Sequence, residues 1–191
     1  MEPMLLDIDE PFESGRLLIR APRSGDGAAI NEAVKESLER LKVWMPWAQQ
    51  APTSEESELD ARRADIAYRQ REDMRLLLLD RASGRLIGCS GLHRIDWKAR
   101  CFELGYWVRT GEEGKEYVTE AVHAITAFAA GRLGAHRIEI RCDARNERSA
   151  AVARRCGFTL EGVLRGNDLS PDGSRRDTMV FAKVRGAELD G

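Results

Sequence analysis

Phe102-Glu-Leu-Gly-Tyr-Trp-Val108 opens the stretch that decides the fold, and Cys156-Gly-Phe158 closes it. Between them the chain reads as strand, Gly-containing turn, long helix, second strand, Asn146-Glu-Arg-Ser149, short helix and glycine stop. The turn is Glu113-Gly-Lys-Glu116. It leads into an amphipathic segment with Val118, Val122, Ile125, Ala129 and Leu133 on one stripe, ended by Gly134. A turn that opens a helix presents free backbone N–H groups at the positive end of the helix dipole, which suits a phosphate. From His136 to Cys142 the sequence alternates, with Ile138, Ile140 and Cys142 on one face and Arg137, Glu139 and Arg141 on the other. That is a half-buried strand.

Working outward, Arg16 to Arg20 predicts a first strand stopped by Pro22. Ile30, Val34 and Leu38 stand four apart, so Asp26 to Leu38 predicts a helix. Trp44-Met-Pro-Trp47 follows as an aromatic loop held by a proline. Thr53-Ser-Glu-Glu56 matches a capping box and predicts a second helix to about Arg69. Arg75–Leu79 and Arg85–Leu92 read as strands around the turn Asp80-Arg-Ala-Ser-Gly84. Thr159–Leu164 and Asp177–Val184 read as closing strands around Pro171-Asp-Gly173. The order βααβββαβαββ is mixed α/β (α+β), not the regular alternation of a doubly wound nucleotide fold.

At 191 residues the chain predicts one domain with a core of its own. With 30 basic and 32 acidic residues the net charge is −2, which argues against binding nucleic acid by bulk charge. No stretch is apolar enough to span a bilayer, and the N-terminus lacks the pattern of a signal peptide. The cysteines, Cys89, Cys101, Cys142 and Cys156, form no C-x-x-C pair and no metal-like spacing with the histidines. Free thiols in a reducing cytoplasm are expected, with no metal.

The order from Phe102 to Phe158 resembles the acyl-CoA-binding core of the GNAT N-acetyltransferases. Within that superfamily it looks most like the branch that acetylates N-terminal amines of ribosomal proteins. The resemblance runs from about Leu17 to Val184. It implies a mixed central sheet of about seven strands, a splayed cofactor-binding strand pair and about four helices, with acetyl-CoA as co-substrate. The family's phosphate-binding pattern, Gln/Arg-x-x-Gly-x-Gly/Ala, falls on Glu113, Gly114, Lys115, Glu116, Tyr117 and Val118. Glu113 replaces Gln or Arg, Glu116 replaces Gly, and Val118 replaces a small residue. Acidic side chains compete with a diphosphate for the helix dipole, and losing Gly limits close backbone approach. CoA is therefore expected to bind here, but more weakly than in relatives with Gly at that position.

The resemblance also assigns roles. The strand through Tyr106, Trp107 and Val108 pairs its free amides with the pantetheine and stabilises the developing oxyanion. Asn146 hydrogen-bonds the cofactor's amide region, and Ser149 protonates the leaving thiolate. From spacing alone, Asn146 reads as a helix N-cap and Ser149 as a first-turn polar residue; the surrounding Cys142–Asn146 and Cys156–Gly162 motifs turn the reading toward the cofactor. An attacking ammonium must lose a proton, and a carboxylate with a raised pKa suits that task. Asp168 and Glu103 are the two candidates by position, with water as a third. Trp44 and Trp47 resemble a substrate-side aromatic loop, and each reads equally as core. Of the histidines, only His93, beside Arg94 and Asp96, suggests a substrate-side role.

The expected activity is direct acetyl transfer from acetyl-CoA to a primary amine, foremost a protein N-terminus. A small-molecule amine and a CoA-binding module without turnover are the rivals. Relatives often pair, so a homodimer is allowed and not required.

Overall fold

The computed structural model describes residues 2–8 and 10–189. The strands are β1 (Phe12–Glu13), β2 (Leu17–Arg20), β3 (Met74–Asp80), β4 (Leu86–Asp96), β5 (Cys101–Val108), β6 (Arg137–Asp143), β7 (Thr159–Leu169) and β8 (Arg175–Val184). The helices are α1 (Gly27–Trp44), α2 (Ser54–Arg69), α3 (Tyr117–Gly131) and α4 (Glu147–Arg155). One mixed sheet runs β1-β2-β3-β4-β5-β6-β8-β7. Every neighbouring pair is antiparallel except β5 and β6. The eighth strand, beyond the seven expected, is the two-residue β1. It is too short for a periodic signal, and Phe12 anchors it by stacking on Phe128 of α3 at 4.5 Å.

Alternation along the strands divides the core between the two faces of the sheet. Leu76 and Leu78 join the larger cluster under α3 and α4, with Ile125, Ala129, Ile138 and Phe181. Leu77 turns the other way, to Leu86, Cys89, Ala33, Val34 and Ala61 under α1 and α2. The helix pair crosses at Gly27, where a Cβ would stand 2.4 Å from the Cα of Glu58. Only glycine permits that approach. At the start of α2 the capping box forms: Thr53 Oγ1 accepts from the Glu56 N–H at 3.1 Å, and Glu56 accepts from the Thr53 N–H at 2.7 Å.

Helix α1 runs past Leu38 to Trp44, because Leu41, 5 % exposed, continues the apolar stripe until Pro46 forbids another turn. This corrects the placing of Trp44 in a loop. Arg109 at the end of β5 is 1 % exposed. It donates to the Leu86 carbonyl at 2.6 Å and to Glu32 and Glu36 at 2.8 and 2.6 Å, locking α1 to the sheet. Strands β7 and β8 extend further toward their shared turn than the alternation predicts. Strand β7 lies at the sheet edge, nearly all of it exposed, so its sequence carries little inside–outside pattern. Three cysteines are buried, Cys101 is half-buried, and all four are free thiols. Among the described residues no helix is long and apolar enough to cross a membrane.

Candidate active site

The decisive geometry is the divergence of β5 from β6. Their parallel pairing spans only Cys101↔Arg137, Phe102↔Ile138 and Glu103↔Glu139. Beyond Glu103, β5 stays paired to β4 as far as Gly88↔Val108, while β6 continues along β8 to Asp143↔Thr178. From Leu104 to Val108, β5 therefore has no strand on its β6 side. Unpaired strand backbone is a template for an extended ligand that carries amides of its own.

The turn after β5 offers a second set of free groups. Gly114 and Glu116 both take positive φ, 77° and 64°, which turns the chain sharply into α3. Among the described residues the backbone N–H groups of 114–119 find no acceptor. Such a run at a helix N-terminus favours an anion. The two acids there are not left as bare negative charge. Arg148 donates to Glu113, Arg40 stands 3.7 Å from it, and Arg155 stands 3.3 Å from Glu116. Lys115 turns to Glu112 at 2.8 Å, and Tyr117 packs under the Arg16 guanidinium. Val118 is half-buried against the core.

Across the divergence, α4 brings up its first turn. Asn146 is the N-cap, accepting from the Ser149 N–H at 3.1 Å, as its alternative reading from the sequence expects. Ser149 Oγ lies 3.0 Å from the Tyr106 hydroxyl of β5, and that hydroxyl also reaches the Ser149 carbonyl at 3.1 Å. Burial pushes the Tyr106 phenol well above its ordinary value, so it stays protonated. The pair bridges the mouth of the divergence with hydroxyl donors. Burial also raises the nearby Cys142 thiol.

On the α1–α2 face of the sheet lies a cleft of about 660 Å³. Its floor is β4 and β5, and its walls come from α2 and from the segment between the first two helices. Trp47, 55 % exposed, tilts against Trp107 with ring centroids 6.2 Å apart, and Met45 lies beside them. Trp44 does not line this cleft; Trp47 does. Asp60 of α2 pairs with Arg75 of β3 on the opposite side. His93 also faces the cleft. A smaller polar cleft of about 290 Å³ adjoins it, sharing Arg94 and Glu103 as lining.

Both expected carboxylates stand in the smaller cleft, each against an arginine. Asp168 accepts from Arg176 at 2.5 Å, and Arg94 stands 3.4 Å from Glu103. The Arg176 guanidinium, helped by the Leu169 N–H, holds Asp168 below the ordinary carboxylate range. That is opposite to the raised carboxyl the sequence argument asks for. An ion pair favours the charged form, so this carboxylate attracts a cation better than it takes a proton.

The family model "Acetyltransferase (GNAT) domain" matches residues 16–159. The chain belongs to the GNAT acetyltransferase family. "Putative ribosomal N-acetyltransferase YdaF" of Bacillus subtilis (strain 168) is 28 % identical over 172 residues, covering 88 % of this chain and 91 % of the relative. "Ribosomal-protein-serine acetyltransferase" of Escherichia coli (strain K12) is 27 % identical over 146 residues, covering 75 % and 80 %. Among solved structures, the ribosomal L7/L12 alpha-N-protein acetyltransferase RimL in complex with coenzyme A superposes with a TM-score of 0.85 at 22 % identity, over 92 % of this chain and 98 % of that one.

For a GNAT enzyme the cleft residues that the sequence motifs did not mark include Asp60 and Arg75, and behind His93 stands Asp73. They sit on α2 and around the start of β3, before the stretch from Phe102 to Phe158 that carries the motifs. Asp73 accepts a hydrogen bond from His93 Nδ1 at 2.7 Å. Only the strand register brings these two together, since the β3–β4 ladder begins at Met74↔Leu92.

Proposed function

We propose that this GNAT enzyme transfers the acetyl group of acetyl-CoA directly to the N-terminal amine of a protein; the name of the structural neighbour RimL, an alpha-N-protein acetyltransferase, supports the reading. The divergence of β5 from β6 beside an open cleft carries the reading. The free β5 edge at residues 104–108 would receive the pantetheine amides, and the N–H groups of 114–119 the diphosphate. The Asn146 side chain caps α4 with its oxygen and keeps its NH₂ for the cofactor arm. Ser149 and Tyr106 would hold a hydroxyl proton at the place where the thiol leaves. Asp168, held in its charged form by Arg176, and Glu103 beside Arg94 would draw the substrate ammonium toward the divergence.

The cleft and its polar annex share Arg94 and Glu103, so the acceptor space is longer than one amine needs. An exposed indole at its rim and an open side suit a chain end that continues into solvent. Trp47 would pack on the first side chains of that peptide.

The test is thiol release from acetyl-CoA against peptides with free N-termini and against small amines, with N-terminally blocked peptides as controls. Turnover confined to free N-terminal peptides is the expected result. Turnover only on small amines would replace the acceptor class and keep the chemistry. CoA binding without turnover on any amine would leave a binding module.

A further inference from the structure

We infer that His93, oriented by Asp73, is the base that takes the proton from the acceptor ammonium. The inference rests on amine acetylation as the reaction, and not on which amine is acetylated.

Three observations carry it. First, the imidazole is held at one nitrogen and free at the other. Nδ1 lies 2.7 Å from Asp73 Oδ2, while Nε2 has no hydrogen-bond partner among the described residues. A carboxylate only accepts, so Nδ1 carries the proton and a neutral ring presents a lone pair at Nε2. This is a base with an orienting partner, the arrangement general-base catalysis needs.

Second, the ring sits on a floor cleared for it. Gly91 and Gly105 face each other across β4 and β5, two rungs from the pair His93↔Glu103 and therefore on the same face of the sheet. A Cβ on Gly91 would stand 2.9 Å from His93 Cε1, and one on Gly105 would stand 3.1 Å from Cδ2. Any side chain at either position would displace the ring. The two glycines therefore leave the space the imidazole occupies over the strands, where β5 begins to leave β6, although at Gly91 the Met74 carbonyl oxygen, 2.8 Å from that Cβ position, excludes a side chain as well.

Third, the alternatives are engaged. Asp168 is tied to Arg176 and Glu103 to Arg94, and His93 is the cleft residue that pairs a free acceptor atom with a held orientation. The charged groups around the ring come from every wall: Asp73 and Arg75 at β3, Arg94 on β4, Glu103 on β5, Glu56 and Asp60 on α2. Four acids against two arginines favour an entering cation.

The proton balance closes. One ammonium proton passes to Nε2 and from there to solvent through the open cleft. The neutral nitrogen attacks the thioester carbonyl; the C–N bond forms and the C–S bond breaks. The Ser149–Tyr106 hydroxyl pair gives its proton to the leaving sulfur. The second proton, lost from nitrogen as the amide forms, replaces it. The products are amide, CoA thiol and one released proton.

The test compares wild type, His93→Gln and Asp73→Asn in acetyl-CoA turnover on the peptide acceptor across pH. It is paired with nitrogen-15 NMR of the histidine rings. His93→Gln is expected to lower kcat roughly 100-fold or more near neutrality, leaving KM for acetyl-CoA within about twofold. The acidic limb of the rate profile should vanish, with activity recovering where the amine deprotonates unaided. Asp73→Asn should shift that limb and cost less. In wild type, NMR should find the neutral His93 ring with its proton on Nδ1. A His93→Gln variant that keeps most of its kcat and its acidic limb would overturn the inference. So would a neutral ring protonated at Nε2, a result that decides the point even if no peptide is acetylated. Wild-type inactivity on every amine would instead refute the proposed function.

Discussion

Glu116→Gly isolates what an acidic side chain does at the phosphate-facing end of α3. Glu116 sits in the left-handed region at φ 64°, which costs a non-glycine residue about 1–2 kcal/mol. Glycine removes that cost but gives back about 0.4–1 kcal/mol through the freer unfolded chain. The ion pair lost with Arg155 is exposed at both partners and is worth about 0–1 kcal/mol. Stability should therefore change by between a loss of about 1 and a gain of about 1.6 kcal/mol. Binding should change more clearly. Two like unit charges about 4 Å apart in water repel by about 1 kcal/mol, so removing one such repulsion should tighten CoA roughly fivefold. Freeing Arg155 adds in the same direction. Calorimetric titration with CoA at low and high salt measures both parts, because screening should shrink the gain. A Glu116→Gln variant, which keeps the left-handed strain but drops the charge, should recover most of it. Unchanged or weaker binding by Glu116→Gly would refute the idea that this acid opposes the diphosphate.

Ser149→Ala should lower kcat roughly 10- to 100-fold in thiol release with little change in CoA affinity, and Tyr106→Phe should cost less. A thioester with a more acidic thiol should recover part of the loss in both. Gly88→Ala places a Cβ 2.3 Å from the Trp107 carbonyl oxygen and 2.9 Å from the Val108 Cα, so β4 and β5 must part. A loss of about 2–3 kcal/mol in denaturant unfolding is expected, with weakened CoA binding. Asp143 is buried, and the Arg145 guanidinium holds its carboxyl below the ordinary range. Its stabilising contribution is complete above the unfolded value of about 3.9 and is lost as pH falls through the lower folded value. The Tm advantage of wild type over Asp143→Asn should accordingly narrow below about pH 4, and a gap constant with pH would contradict this.

The fold was largely legible because its signals are local. The capping box at Thr53, the apolar stripe from Val118 to Leu133 and the alternation from Arg137 to Cys142 each act within a few residues. Elements without such signals were placed less well. Strand β7 is exposed on both sides of its pleat, and α1 runs past Leu38, where its clearest four-residue spacing ends, because Leu41 is buried as well. The site divides in the same way. The turn 113–118 and the pair Asn146 and Ser149 follow one another along the chain and could be read as motifs. The acceptor side could not, because its residues meet only through tertiary pairing. Asp73 reaches His93 one register step beyond the last ladder pair, and the irregularity between Leu78 and Leu79 hides that register from any count made outward from the hairpin turn. Likewise no spacing reports that Asp168 will be answered by Arg176 across the β7–β8 hairpin.

The three-pair contact between β5 and β6 has a mechanical consequence. The sheet is two leaves, one of five strands and one of three, joined edge to edge by three residue pairs and beneath by the core they share under α3 and α4. A molecule threaded between the leaves stitches them along the length where the protein has no rungs of its own. Amide hydrogens on the free edge of β5 should exchange quickly when the gap is open and slow sharply when it is filled, while those along β3 and β4 hardly change.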